Sequence, residues 1–254
     1  MNSLKNSNQT YIAGFINTVV LLASLFVLSA CEGLSSDISN ETGTGGSTAR
    51  FTIVGEHLYT VDFQNLHTFA ISNPNDIQYH EYINTGFGIE TIFPYGDKLF
   101  LVARDGMYIY DISSPDEPEL IGTTYHFYSR DPVVVQDDIA YVTLNSWNSE
   151  LQIYDVSNLT NPILLESYSM ESPFGLAIRD NILFVCDRGI KIFDVENVNQ
   201  VRLLHHYTNI DARDLILDED RIIVTGPGGI NQYRINQNSS LTKISSITTF
   251  ASVN

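Results

Sequence analysis

The chain has 254 residues and carries 30 Asp and Glu against 13 Lys and Arg, a formal charge of −17 at pH 7. That balance excludes a nucleic-acid binder, whose phosphate contacts need a surplus of Lys and Arg. It also works against electrostatic docking on anionic lipid.

Residues 1–30 read as a secretory signal. Tyr11–Ala30 is apolar and uncharged, Lys5 supplies a positive n-region, and small residues lead into a cysteine. The run Leu28-Ser29-Ala30-Cys31 resembles the lipobox of bacterial lipoproteins. The resemblance implies cleavage before Cys31 and lipid on its thiol and new amino group. Two or more acyl chains make such a membrane tether stable where one is marginal. An uncleaved transmembrane anchor is the alternative, since about 20 apolar residues can span a bilayer. In either case the folded part lies outside the cytoplasm. The lipoprotein reading puts it in a bacterial cell envelope, at the outer rather than the inner membrane, facing the periplasm or the cell surface. Removing the signal removes Lys5 and no acid, so the mature chain keeps 12 basic against 30 acidic residues, a charge of −18.

Residues 31–49 are rich in Gly, Ser, Thr and Asn, the composition of a flexible linker. The only other cysteine is Cys186. With Cys31 acylated no intrachain disulfide can form, and the core alone must hold the fold.

Residues 50–254 repeat. Apolar strand seeds begin at Leu58, Leu99, Ala140, Leu183 and Ile222, at spacings of 41, 41, 43 and 39. A short strand and a polar turn precede each seed, and two more strands follow it. The units run over about 51–86, 87–128, 129–170, 171–209 and 210–250. A repeated four-strand unit of about 40 residues is the pattern of a β-propeller. The prediction is therefore an all-β, five-bladed propeller of four-stranded antiparallel blades, closed into one ring. Runs such as "LFLV" and "VVV" are apolar at successive positions, as expected for a strand buried on both faces between neighbouring blades. Two β-sandwich domains could also use 20 short strands, but one period across all five units argues against them. A WD-type propeller is excluded by the absence of its Trp-Asp and Gly-His dipeptides.

"IYDISSPDEPELIG" from Ile109 and "IYDVSNLTNPILLESY" from Ile153 resemble LVIVD repeats. "IFDVENVNQVRLLHHY" from Ile192 is a further copy. The first unit has Ala70 in place of the Asp, and the fifth has Arg234. The resemblance implies a secreted or surface propeller and no common reaction. Asp111, Asp155 and Asp194 fit Asx-type turns after the third strand, and Pro115, Pro118 and Pro162 fit the start of an outer strand. Asp137–Asp138 and Asp218–Glu219–Asp220 align with Gly96–Asp97 and Asp180–Asn181, so they read as hairpin turns and not as a calcium loop.

A site is expected at the channel mouth. The residues entering strand one form a column: Ala49, Glu90, Asp131, Phe174 and Arg213. Glu90, Arg130, Asp131, Asp211 and Arg213 are the candidate ligand-binding residues, with Trp147, the only Trp, in a long loop between strands two and three. Cys186, in the second-strand column, is expected to be buried and inert. His205 and His206 are consecutive and point to opposite faces of a strand. His57, His67, His80 and His126 match no metal-ligand spacing. No metal and no cofactor are expected, and no nucleophile elbow, P-loop or dinucleotide fingerprint is present. The reading that follows is a membrane-anchored, non-catalytic binding or scaffold module for a protein or glycan partner. The alternative is a glycoside hydrolase using Glu90 and Asp131 as facing carboxylates.

Overall fold

The computed structural model describes residues 46–86, 88–125 and 132–248. The signal segment, Cys31, Arg130, Asp131 and His126 lie outside the described residues. Among the described residues twenty strands form five separate four-stranded antiparallel sheets, all within the compact unit of residues 40–254. Blade 1 holds β1 (Phe51–Val54), β2 (His57–Val61), β3 (Asn65–Ala70) and β4 (Gln78–Asn84). Blade 2 holds β5 (Ile89–Tyr95), β6 (Lys98–Ala103), β7 (Gly106–Asp111) and β8 (Glu119–Tyr125). Blade 3 holds β9 (Val133–Gln136), β10 (Ile139–Leu144), β11 (Glu150–Asp155) and β12 (Ile163–Ser169). Blade 4 holds β13 (Pro173–Arg179), β14 (Ile182–Asp187), β15 (Ile190–Asp194) and β16 (Arg202–Tyr207), with one 3₁₀ turn at Val198–Gln200. Blade 5 holds β17 (Asp214–Asp218), β18 (Arg221–Gly226), β19 (Gly229–Ile235) and β20 (Leu241–Ile247).

Each blade is built by the same devices. Two-residue turns join strands one and two, and Asp137, Asp180 and Glu219 take φ of 50°, 54° and 49° there. That left-handed backbone is what a tight hairpin requires, so these acids are turn residues as the repeat implied. The residue after strand three, or in blade 5 its last residue, then donates its backbone N–H to that hairpin. Ile71, Ile112, Val156, Val195 and Ile235 bond the carbonyls of Glu56, Asp97, Asp138, Asn181 and Asp220 at 2.7–2.9 Å. The repeated Asp closes the next turn. Asp111 Oδ1 accepts the Ser113 N–H at 2.7 Å and the Ser113 hydroxyl at 2.5 Å. Asp155 does the same with Ser157 at 2.9 and 2.6 Å. Asp194 accepts the Glu196 N–H at 3.0 Å. The Ser113 hydroxyl and amide hold the Asp111 carboxyl down to about 2.

The third and fourth strands of every blade carry a bulge, at Thr68/Phe69, Ile109/Tyr110, Ile153/Tyr154, Ile192/Phe193 and Gln232/Tyr233. One extra residue on the outer strand increases its twist. The outer strand of blade 2 comes so close to blade 3 that a Cβ on Gly122 would collide with the Leu159 carbonyl.

Four apolar clusters join the blades in order. Tyr59, Val61 and Leu66 of blade 1 pack with Ile92, Leu99 and Leu101 of blade 2. Phe100, Val102 and Ile109 pack with Val133, Val135 and Val142 of blade 3. Val134, Tyr141 and Ile153 pack with Leu176, Leu183 and Val185 of blade 4. Phe184, Cys186 and Ile192 pack with Leu215, Ile222 and Val224 of blade 5. Alternate residues of β6 therefore point into two different clusters, which explains why the whole strand is apolar. The same holds for β10 and β14. It fails for β2 and β18, where Leu58 and Ile223 are only half-buried, because among the described residues no apolar cluster joins blade 5 to blade 1.

That seam is polar. Asp214, at the start of β17, accepts the Ser47 hydroxyl at 3.3 Å and the Thr48 hydroxyl. The Ser47 oxygen accepts the Leu176 N–H of blade 4 at 2.8 Å, and the Ala49 carbonyl accepts the Ile92 N–H of blade 2 at 3.0 Å. The segment before β1 thus reaches blades 2, 4 and 5. Ser47, near the end of the stretch 31–49 read as a linker, is 2% exposed. Small hydroxylated residues, read as a sign of flexibility, are also the residues that fit between converging inner strands.

Two outcomes follow for stability. Gly122→Ala is expected to cost about 1–3 kcal/mol, the range for overpacking. Gly228→Ala, where a Cβ meets nothing within 4 Å, should stay within about 0.5 kcal/mol; urea unfolding of both variants checks the pair. Burial pushes the Asp214 carboxyl up, against the bonds from Thr48, Leu215 and Ser47 that pull it down. A raised native pKa gives stability that is complete below the ordinary carboxylate value of about 4 and is lost as pH rises through the native value. Asp214→Asn removes this dependence. Its unfolding midpoint should therefore improve relative to wild type between pH 4 and pH 7, and a pH-independent difference would contradict the assignment.

Candidate functional site

The residues entering strand one of each blade converge on one face. Thr48, Arg50, Glu90, Thr91, Pro132, Asn145 and Phe174 line a cavity of about 300 Å³. A neighbouring cleft of about 470 Å³ is lined by Ser172, Phe174, Arg188, Gly189 and Thr208 through Arg213. Phe174 walls both. Its carbonyl accepts the Thr143 hydroxyl at 2.7 Å, which ties it to blade 3. The Arg213 guanidinium lies 4.1 Å over the Phe174 ring, close enough for a cation–π contact.

Glu90 is the carboxylate of the first cavity. Arg104 Nε lies 3.4 Å from its Oε1, which fixes the carboxylate at the wall. Arg50 donates to the Ile89 carbonyl at 3.1 Å and has no carboxylate within 4 Å among the described residues. The cavity thus offers one carboxylate, one guanidinium, the Thr48 hydroxyl, the Asn145 amide and two apolar walls, Pro132 and Phe174. Thr48 also links this cavity to the raised carboxyl of Asp214.

Asp187 organises the loop that delivers Phe174. It is 0% exposed and accepts the Ser172 N–H at 2.7 Å and the Glu171 N–H at 3.2 Å. Burial pushes its carboxyl up, but Lys191 Nζ at 2.7 Å and those amides outweigh it and hold it low.

The structure brings Asp211 and Arg213 into one cleft and puts Glu90 in the adjoining cavity. Arg130 and Asp131 lie outside the described residues, so the Glu90–Asp131 pair has no geometry here. Trp147 is fully exposed in the β10–β11 loop and lines neither cavity. Cys186 is buried, and burial raises its thiol well above the ordinary value. Sequence reasoning missed Thr48, Arg50, Arg104, Asn145 and Asp214. Thr48 sat in the supposed linker. The other four lie near the mouth column, and only the departure of Arg104 and Asn145 from the apolar ends of strand two hinted at them. It also missed that His57 and His80, far apart in sequence, both reach Asp116 of the next blade.

An LVIVD repeat matches residues 129–170. No curated protein sequence matches the chain. Among solved structures it is similar to a periplasmic gluconolactonase of Pseudomonas aeruginosa, at 11% identity and a TM-score of 0.63, covering 76% of this chain and 68% of that one. It is similar to a putative 6-phosphogluconolactonase of Bacteroides fragilis, at 14% identity and a TM-score of 0.63, covering 78% and 69%. Kluyveromyces lactis Hsv2 aligns at 12% identity and a TM-score of 0.52, covering 76% and 60%. The expectation of a non-catalytic binding or scaffold module is corrected by these likenesses, because two of the neighbours are named as lactonases, which are hydrolases. The physical reason is that composition and repeat spacing report the scaffold, whereas a hydrolytic site is set by mouth residues that the repeat leaves free to vary. The chain carries an LVIVD repeat at residues 129–170 and folds as five four-stranded blades like those of these β-propellers.

Proposed function

We propose that this protein is a hydrolase that opens the ring ester of a sugar-derived lactone in the mouth cavity. The observation that carries the reading is the joint placement of Glu90 and Arg50 on one cavity of about 300 Å³, the lower end of the range for small-molecule sites. Glu90 acts as general base and takes a proton from water, whose oxygen attacks the lactone carbonyl. Arg50 faces the oxyanion of the tetrahedral intermediate. The ring C–O bond then breaks, the leaving oxygen takes that proton back from Glu90, and the hydroxy acid formed gives its own proton to solvent and leaves as the anion. Arg104 positions Glu90. Phe174 and Pro132 offer apolar surface to the carbon skeleton, and Asn145 and Thr48 offer hydrogen bonds to its hydroxyls. The names of the two lactonases with this fold support the reaction class. Glycoside hydrolysis asks for two carboxylates across one sugar. Among the described residues Glu90 is the carboxylate that lines this cavity, and a single base is what lactone opening asks for.

The test is base uptake at constant pH with glucono-δ-lactone, corrected for spontaneous opening. Wild type should exceed the blank. Glu90→Gln should lower kcat roughly 10²–10⁴-fold, the scale of general-base catalysis. A wild-type rate equal to the blank, or an unchanged Glu90→Gln, would overturn the proposal. Release of nitrophenol from aryl glycosides in place of acid would move the reaction to the glycosidase class.

Anchoring belongs to the same proposal. Lipid on Cys31 holds the enzyme at the cell envelope, at the outer membrane, where a diffusible sugar lactone reaches it without crossing into the cytoplasm. The lipobox at Leu28–Cys31 supports this. Metabolic labelling with a fatty acid should mark the wild type and leave Cys31→Ser unlabelled. Label that survives the substitution would exclude this tether.

A further inference from the structure

One blade interface departs from the other three in a way that gathers metal ligands. In each blade the bulge places one extra residue on the outer strand. That residue is Ile121, Leu165, Leu204 or Ile244 in blades 2 to 5, and His80 in blade 1. In blades 2 and 3 this apolar residue packs toward the third turn of the following blade. Ile121 joins the cluster that contains Leu159 of blade 3, and Leu165 the cluster that contains Val198 and Val201 of blade 4. Blade 1 replaces this contact with a polar one. His80 Nε2 lies 3.2 Å from Asp116 Oδ1, in the corresponding turn of blade 2. His57, which opens β2, brings its own Nε2 to 2.8 Å from the same oxygen. The turn is held in place by the Tyr59 hydroxyl, which donates to the Pro115 carbonyl at 2.9 Å.

We infer that His57, His80 and Asp116 form a site for a divalent first-row metal ion of the zinc class. The three ligand atoms lie within 4.8 Å of one another. Zinc bonds of about 2.0–2.2 Å to nitrogen and oxygen set the ligands of a tetrahedral ion about 3.4 Å apart. The 2.8 and 3.2 Å separations need only small side-chain rotations to admit it. Two imidazoles and one carboxylate suit zinc, and also iron(II) with open positions. The side chains of His57, His80 and Asp116 are 19%, 33% and 50% exposed, so an ion can enter and keep water as its remaining ligand. The bound ion bridges blades 1 and 2 at their outer edge. Blade 1 gains most from such a bridge, since apolar packing holds it on one side only.

Isothermal titration of the purified protein with Zn²⁺, and visible absorption with Co²⁺, test the site. Wild type should bind one ion per chain, show the intense bands of four-coordinate Co²⁺, and unfold at higher temperature with Zn²⁺ than with chelator. His80→Leu restores the residue that blades 3 and 4 carry, so it should fold. It should bind at least about tenfold more weakly, a change that even outer-shell partners of a metal can produce. Asp116→Asn keeps the shape and should weaken binding likewise. His67→Ala, at the histidine paired with Asp62 at 2.9 Å, should leave binding unchanged. No saturable binding by wild type, or equal binding by wild type and His80→Leu, overturns the assignment and leaves a carboxylate between two imidazoles.

Discussion

The bonds from Ser47 and Thr48 to Asp214 fix the geometry on which the mouth depends. Four interfaces between blades are apolar and independent of direction. The fifth, between blade 5 and the start of the chain, is a directed set of hydrogen bonds. Apolar burial scales with area and tolerates small slips, whereas a carboxylate that accepts two hydroxyls and the Leu215 amide does not. The desolvation that raises Asp214 is the cost of placing a carboxyl there, and its hydrogen-bond donors offset it in part. Because Thr48 and Arg50 belong to this same short segment, the clasp also sets where the guanidinium and hydroxyl of the cavity stand relative to Glu90 on blade 2.

The blades differ from one another where their repeat does not need them to agree. Hairpin turns, Asx turns, the outer bulge and the bond from strand three back to the hairpin recur in most or all blades. They satisfy backbone groups that would otherwise be stranded at each strand end. Residues that obey the template therefore carry little information about chemistry. Departures carry more. Ala49, Glu90, Phe174 and Arg213 share one column and no common character. His80 stands alone in a column of aliphatic residues. Each departure sits at a convergence of neighbouring blades, which is where side chains from distant parts of the chain can meet.

Blade number, strand number and the inner and outer strands were legible in the sequence, because a period of about 41 and two-residue turns leave few alternatives. The apolar runs of β6, β10 and β14 were legible for the same reason, since each is buried on both faces. The polar seam was not. It depends on Ser47 and Thr48 meeting a residue 166 or 167 positions away, and no local pattern encodes that pairing. The cavity was half legible. Column counting found Glu90, Phe174 and Arg213, but Arg50 and Asn145 enter from the edges of their strands. The gathering of His57, His80 and Asp116 was not legible, because metal motifs are recognised by spacing along one chain segment. Here three segments each bring one side chain to a blade boundary.

Charge connects the scaffold to the reaction. The chain is strongly acidic, at −17, yet Arg50, Arg188 and Arg213 line the two mouth cavities and Arg104 pairs with Glu90 beside them. Such local cations act within a Debye length of about 8 Å at physiological ionic strength, beyond which the acidic body governs an approaching ion. In the proposed reaction a neutral lactone would enter this field without penalty. Ring opening would turn it into a carboxylate, whose developing charge the nearby guanidinium would stabilise. Once past the mouth, the product anion meets a surface of its own sign and is repelled. An acidic propeller with guanidinium groups at its mouth thus suits the proposed reaction, because a neutral ester enters without repulsion and the anionic product is released readily.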